Sequence, residues 1–159
     1  MTSDALAQPQ DEPATPFPME RSIGFQMRRI TALLGSEIDR RMEPLGLTDA
    51  QWKPLLRLLL APSATAAALA RDCHVDAGGL TRLLDRLQAK GLCQRQRSEQ
   101  DRRVVHISLT PEGQAAAEQL PAILGGVQQR LLQGFSAEEE ARLRDYLARI
   151  YANTRALAD

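Results

Sequence analysis

Between Ala64 and Leu109 the sequence changes its period, and that order of patterns restricts the fold more than any other feature. The stretch "ATAAALARDC", residues 64–73, reads as a short helix of high intrinsic propensity. After His74 and Val75, Asp76 stands as the cap of a second helix, "AGGLTRLLDRLQAKG". In it Leu80, Leu83, Leu84 and Leu87 share one face, and Gly91 closes it. The apolar spacing then drops to alternation. "LCQRQR" and "RVVHISL" both read as strands, with Val105, Ile107 and Leu109 on one side and the polar "SEQD" between them.

Two helices joined by a turn of about four residues, the second presenting Thr81, Arg82 and Arg86 outward, describe a helix-turn-helix. Helical hairpins occur in many proteins that bind nothing. A helix-turn-helix followed at once by an antiparallel hairpin is more specific, because that order describes a winged helix. The predicted fold class is therefore mainly α with a small two-stranded β-wing, a winged helix-turn-helix lobe joined to a helical dimerisation region.

Outside that lobe, residues 1–20 carry Pro9, Pro13, Pro16 and Pro18 among small and acidic residues, and read as a disordered arm. Ile23, Met27, Ile30, Leu34, Ile38 and Met42 form one helical stripe that should stop near Glu43, before Pro44 and Gly46. Thr48 and Gln51 match a capping box for a second helix, in which Pro54 predicts a bend between Ala50 and Pro54. Thr110 and Pro111 open a helix expected to run to about Gln133, bent at Pro121 or at Gly125 and Gly126. Ser136 and Glu139 form another capping box, followed by Leu143, Leu147, Ile150, Thr154 and Leu157 at spacings of four and three. The predicted organisation is an arm over 1–20, a winged helix-turn-helix lobe over 48–110, and a dimerisation region from 21–47 and 111–159. Three amphipathic helices outside the lobe need a surface to cover their stripes, and a two-fold homodimer is the economical solution.

Twenty basic and twenty acidic residues cancel, so net charge does not argue for a nucleic-acid partner. Their distribution does. Arg71 to Arg103 hold eight bases against five acids, whereas the first 20 residues hold acids alone. No apolar run approaches the roughly 20 residues of a membrane span, and the start lacks a basic leader, so a cytoplasmic location without a membrane partner is expected. Cys73 and Cys93 have no metal spacing and read as buried reduced thiols. His74 and His106 lack partners at metal or catalytic spacing. With no Ser/His/Asp array, phosphate loop or metal cluster, no enzyme activity, cofactor or metal is predicted.

The stretch from Asp101 through Arg102 and Arg103 to Leu109 and Thr110 resembles the wing signature of the MarR family of bacterial winged-helix transcription regulators. Its pattern is an aspartate, any residue, an arginine, five residues, then Leu-Thr. The segment from Leu69 to Leu92 is similar to the helix-turn-helix of the same family, and the resemblance covers roughly Ser22 to Leu157. It implies a dimer that binds pseudo-palindromic double-stranded DNA, usually as a repressor, released by a small aromatic carboxylate or phenolic ligand in a cleft beside the dimerisation helices. It also implies that Asp101 braces the wing arginine Arg103 in the minor groove, and that Thr81, Arg82 and Arg86 face the major groove. Many members carry serine or threonine where Gly78 and Gly79 stand, so phosphate contacts at that helix start fall to backbone amides. In the peroxide-sensing members a reactive cysteine lies in the first helix with tyrosines nearby, and residues 21–43 contain neither.

A guanidinium on a hairpin tip suits a narrow A·T-rich minor groove, where negative potential is enhanced, although most surface arginines contact nothing. Arg82 and Arg86, four apart, share a helix face and either read guanine or clamp phosphate. Arg95 and Arg97 on the first wing strand are expected to add phosphate contacts, and Arg102 to reach phosphate at most or the groove with Arg103. For the effector, Trp52 offers a stacking wall and Arg28 or Arg29 a carboxylate partner, against the plainer readings of core packing and a solvated helix face. The rival reading is a winged-helix interaction module whose basic face meets an acidic protein.

Overall fold

The computed structural model describes residues 18–101 and 103–157. The chain divides into two units, Met1–Gly35 and Ser36–Asp159, and the boundary falls inside the first helix, α1 (Ile23–Met42). In the first unit Met19–Arg21 makes a single 3-10 turn, Phe25 N donates to Ser22 Oγ at 3.2 Å, and Ile23, Met27 and Ile30 are exposed. The arm expected over 1–20 lies almost wholly outside the described residues.

In the second unit α1 ends where Pro44 and Gly46 require it. Ile38 and Met42 are buried, a 3-10 turn covers Glu43–Leu45, and Gly46 takes a left-handed φ of 63°. Helix α2 (Asp49–Leu60) carries the predicted capping box, Thr48 N donating to Gln51 Oε1 at 3.3 Å, and its helical run continues through the buried Pro54. Helices α3 (Ala66–Asp72) and α4 (Ala77–Ala89) follow, with Leu80, Leu83, Leu84 and Leu87 of α4 all buried as their spacing predicts. Strands β2 (Cys93–Arg97) and β3 (Val105–Leu109) pair antiparallel, Arg95 opposite Ile107.

Two expectations about element boundaries need correction. Ala64 and Thr65 do not begin α3. They form a third strand, β1 (Ala64–Thr65), antiparallel to β3 with Ala64 opposite Ile107, so the sheet order is β1-β3-β2. Two residues are too few to show alternation, and Thr65 ends the strand while its hydroxyl caps α3 by accepting from Ala68 N at 3.2 Å. The single helix expected over 110–133 is two, α5 (Pro111–Ala117) and α6 (Leu120–Leu131), with Glu118 and Gln119 between them. Pro121 causes the break upstream of itself. Its ring excludes the carbonyl four residues back, that of Ala117, which is where α5 stops. Gly125 and Gly126 pass inside α6. The last helix, α7 (Ala137–Ala156), starts at the predicted Ser136 and Glu139 box and buries no residue.

The core joins Leu55 and Leu58 of α2, Leu69 of α3, Leu80, Leu84 and Leu87 of α4, Ile107 of β3, Ala117 of α5 and Leu120 of α6, none more than 2% exposed. Each buried leucine contributes about 1.5–3 kcal/mol, so these contacts and not the surface ion pairs hold the lobe together. The tightest packing is where α5 leaves the sheet. The Thr110 hydroxyl donates to Gly91 O at 2.5 Å and accepts from Gly113 N at 3.0 Å, while Thr110 N donates to Leu92 O at 3.2 Å. A Cβ on Gly113 would lie 1.8 Å from the Leu92 carbonyl oxygen. Gly113→Ala should therefore lower unfolding free energy by about 2 kcal/mol or more in urea denaturation. Gly125→Ala, with open space around the new methyl, should be neutral or stabilising by up to about 1 kcal/mol. Equal effects at the two positions would contradict this account of the junction.

Candidate nucleic-acid interface

Helix α4 is fixed first at its start. Asp76 Oδ1 accepts from Gly79 N at 2.8 Å, and the amides of the first turn, Gly79 above all, hold the Asp76 carboxyl below the usual aspartate range. A Cβ at Gly78 or at Gly79 would come within 3.2 Å of an Asp76 carboxylate oxygen, so the two glycines keep room for the cap. The Gly79 amide is engaged by Asp76. Along the outward face Thr81 returns its hydroxyl to Ala77 O at 2.8 Å, and Arg82 and Arg86, one turn apart, are exposed. Asp85, between them in sequence, points to the wing.

That contact organises the surface. Arg95 of β2 donates Nη1 to Asp85 Oδ1 at 2.6 Å and Nη2 to Thr81 O at 3.1 Å, so one guanidinium spans the hairpin and two residues of α4. Two of its five N–H donors are engaged in this way, and Arg95 is thereby a brace between the two elements. The pair is partly exposed, the side chains at 28% and 57%, and contributes about 1 kcal/mol at most to stability. Its consequence is geometric. With Asp85 taken, the guanidinium groups of Arg82, Arg86, Arg97 and Arg103 make no hydrogen bond or ion pair with any described residue.

At the hairpin tip Ser98 Oγ accepts from Gln100 N at 3.2 Å and Asp101 N at 3.3 Å, and Asp101 Oδ1 accepts from Arg103 N at 2.9 Å. Asp101 thus braces the backbone of Arg103, leaving its guanidinium to solvent. Arg102 lies outside the described residues.

Other expected roles divide. Arg28 and Arg29 belong to the first unit, where Arg29 lies 5.9 Å over the Phe25 ring. Trp52 belongs to the second. It donates Nε1 to Asp49 Oδ1 at 2.9 Å and carries Lys53 Nζ at 5.6 Å over its ring. A cavity of about 320 Å³, which the sequence does not announce, opens between α3, α4 and the hairpin. Ala66, Ala70, Leu80, Val105 and Ile107 wall it, and Arg95 lines one side. Cys73 and Cys93 are buried and free, and burial pushes both thiols above the usual cysteine range. His74 takes a left-handed φ of 54° in the turn between α3 and α4, with Tyr151 edge-on at 6.4 Å. No cluster able to hold a metal occurs among the described residues, and no helix among them is long and apolar enough to cross a membrane.

Comparison with known proteins follows this geometry. The MarR family model matches residues 47–105, from before α2 into β3. A variant of MarR from E. coli, crystallised with operator DNA, is 32% identical, covers 80% of this chain and 91% of its own, and superposes with a TM-score of 0.74. The chain belongs to the MarR family. A probable transcriptional regulator from Pseudomonas aeruginosa is 30% identical over 83% of this chain and 98% of its own, TM-score 0.77. A MarR-family regulator from Silicibacter pomeroyi is 28% identical over 85% and 91%, TM-score 0.69. Members of the MarR family are transcription regulators and not enzymes.

The start of α4 in this MarR-family chain makes its stability depend on acid. A carboxylate with a lowered folded-state pKa stabilises above its unfolded value and loses that contribution as pH falls through the folded one. Asp76→Asn keeps a capping oxygen and removes the charge. The melting temperature of the variant should lie below that of the native chain at neutral pH, and the gap should close below about pH 4. A gap that persists unchanged in acid would show that the charge of Asp76 is not what stabilises the turn.

Proposed function

We propose that this MarR-family chain is a homodimeric repressor that binds a pseudo-palindromic operator and releases it on binding a small aromatic acid or phenol. The observation that carries the reading is the set of four guanidinium groups, Arg82 and Arg86 on α4 and Arg97 and Arg103 on the wing, that one lobe presents without a hydrogen bond or ion pair to any described residue. Helix α4 supplies a major-groove element, with Thr81 beside the two arginines. The hairpin supplies a tip for the adjacent minor groove, with Arg103 held by the Asp101 turn and Arg102 beside it in sequence. The operator DNA bound by the E. coli relative supports the same partner here.

Dimerisation is supported by apolar surface that a single chain leaves uncovered. Ile23, Met27 and Ile30 of α1 and Tyr146, Leu147 and Tyr151 of α7 are all more than a third exposed. The same surfaces support a division into a lobe over 48–110 and flanking dimerisation helices. For the effector, an aromatic acid needs apolar walls and one cation, and the cavity beside Arg95 offers both. A carboxylate there competes with Asp85 for Arg95 and so frees the wing from α4. Trp52 is the alternative stacking wall. A repressor acting on genomic DNA in this way is cytoplasmic.

Binding to duplex DNA should weaken steeply with added salt and favour one selected sequence over random duplex. Arg103→Ala should weaken binding to the selected duplex by roughly tenfold, about 1.4 kcal/mol, with the dimer intact by light scattering. Salt-independent or absent binding would point instead to a protein partner. Small aromatic acids should raise the melting temperature of the native chain, and Arg95→Met should abolish the shift if the cavity is the seat, Trp52→Ala if it is not.

A further inference from the structure

The far end of α4 is held by a charged group that the DNA-reading face does not use. Lys90, the residue after α4, donates its ammonium to Gln51 Oε1 at 2.8 Å and to Gly46 O. Gly46 is the left-handed residue of the turn between α1 and α2, and Gln51 lies in the first turn of α2. Gln51 is only 4% exposed, the one buried polar side chain among the described residues, and its Oε1 also accepts from Thr48 N at 3.3 Å. One ammonium therefore reaches 39 and 44 residues back along the sequence, and joins the exit of α4 to the junction between α1 and α2. The next two residues are held from the opposite side, Gly91 O by the Thr110 hydroxyl and Leu92 O by Thr110 N.

We propose that Lys90 is a positioning residue for DNA reading: its bonds to Gln51 and Gly46 fix the exit turn of α4 and thereby set the angle at which Arg82 and Arg86 meet the groove. The proposal rests on the DNA-binding reading above and names a residue that the reading leaves out. The lever is favourable. Arg82 lies eight residues from Lys90, about 12 Å along the helix, so a tilt of about 10° at the exit turn moves it by about 2 Å. That displacement exceeds the tolerance of a bidentate base contact and leaves contacts with the flexible, repetitive phosphate backbone nearly as good. The Lys90 ammonium, already given to two oxygens of its own chain, acts on specificity without touching the duplex.

The test uses full-length Lys90→Met, which keeps the long apolar stem and removes the donors. Its probes are a duplex that the native chain enriches from a random pool and a random-sequence duplex of equal length, titrated over a salt series. The proposal expects at least a tenfold loss on the enriched duplex, less than a twofold change on the random one, and an unchanged salt slope. Gln51→Met should reproduce this, and the double variant should bind no more weakly than either single one. Equal weakening on both duplexes with the slope reduced by about one would overturn it, because Lys90 would then be a phosphate contact. Unchanged affinity on both would overturn it as well, leaving Lys90 a plain stabiliser. Should the native chain enrich no duplex, the DNA-binding reading fails by itself, and amide exchange still decides the role of Lys90. Faster exchange in the last turn of α4 in Lys90→Met shows that Lys90 fixes the exit turn, and unchanged exchange overturns the proposal at its first step.

Discussion

The guanidinium of Arg95 lies where the two halves of the interface meet, and the usefulness of the surrounding surface depends on it. Its fork to Asp85 Oδ1 and Thr81 O ties the middle of β2 to the exposed face of α4. A half-exposed pair of this kind contributes little to folding. The hairpin stays on the lobe because Ile107 is fully buried and β3 is flanked by β1 and β2. What the fork adds is orientation and charge allocation. By occupying the one carboxylate on the outward face of α4 it leaves Arg82 and Arg86 without an ion pair among the described residues, and it holds the hairpin that carries Arg97 and Arg103 in a fixed relation to them.

Helix α4 is fixed at both ends as well as at its middle. Asp76 caps its start, and Gly78 and Gly79 leave room for that carboxylate. At its exit Lys90 faces the α1–α2 junction, while Leu92 O lies against Gly113 at the root of α5. The elements entering and leaving the lobe therefore both touch the same three-residue turn, Lys90 to Leu92. Both flanking elements are thus hydrogen-bonded to the turn by which α4 ends.

Much of this was legible in the sequence, and the parts that were not share a cause. The stripe of Leu80, Leu83, Leu84 and Leu87, the alternation around Ile107 and the two capping boxes at Thr48 and Ser136 are local patterns, and local spacing reports them faithfully. Strand β1 escapes because two residues carry no period. The break before Leu120 is misplaced because a proline acts on the carbonyl four residues upstream of itself. The Arg95 fork, the Lys90 bonds and the Gly113 contact join residues 10 to 44 apart, across elements whose relative placement no periodicity encodes. Asp85 shows the consequence: in sequence it is a neighbour of Arg86, and in space it belongs to Arg95.

The central claim is that α4 and the wing form one surface that reads two adjacent grooves of a duplex in a two-fold arrangement. Footprinting of the native chain on an enriched duplex, with hydroxyl radical reading the minor groove and dimethyl sulfate the guanine N7 atoms of the major groove, tests it most directly. The account predicts two protected half-sites related by symmetry, their centres about one helical turn or a whole multiple of it apart, each pairing major-groove protection with minor-groove protection on its flank. A single unpaired footprint, protection confined to one groove, or none at all would contradict it.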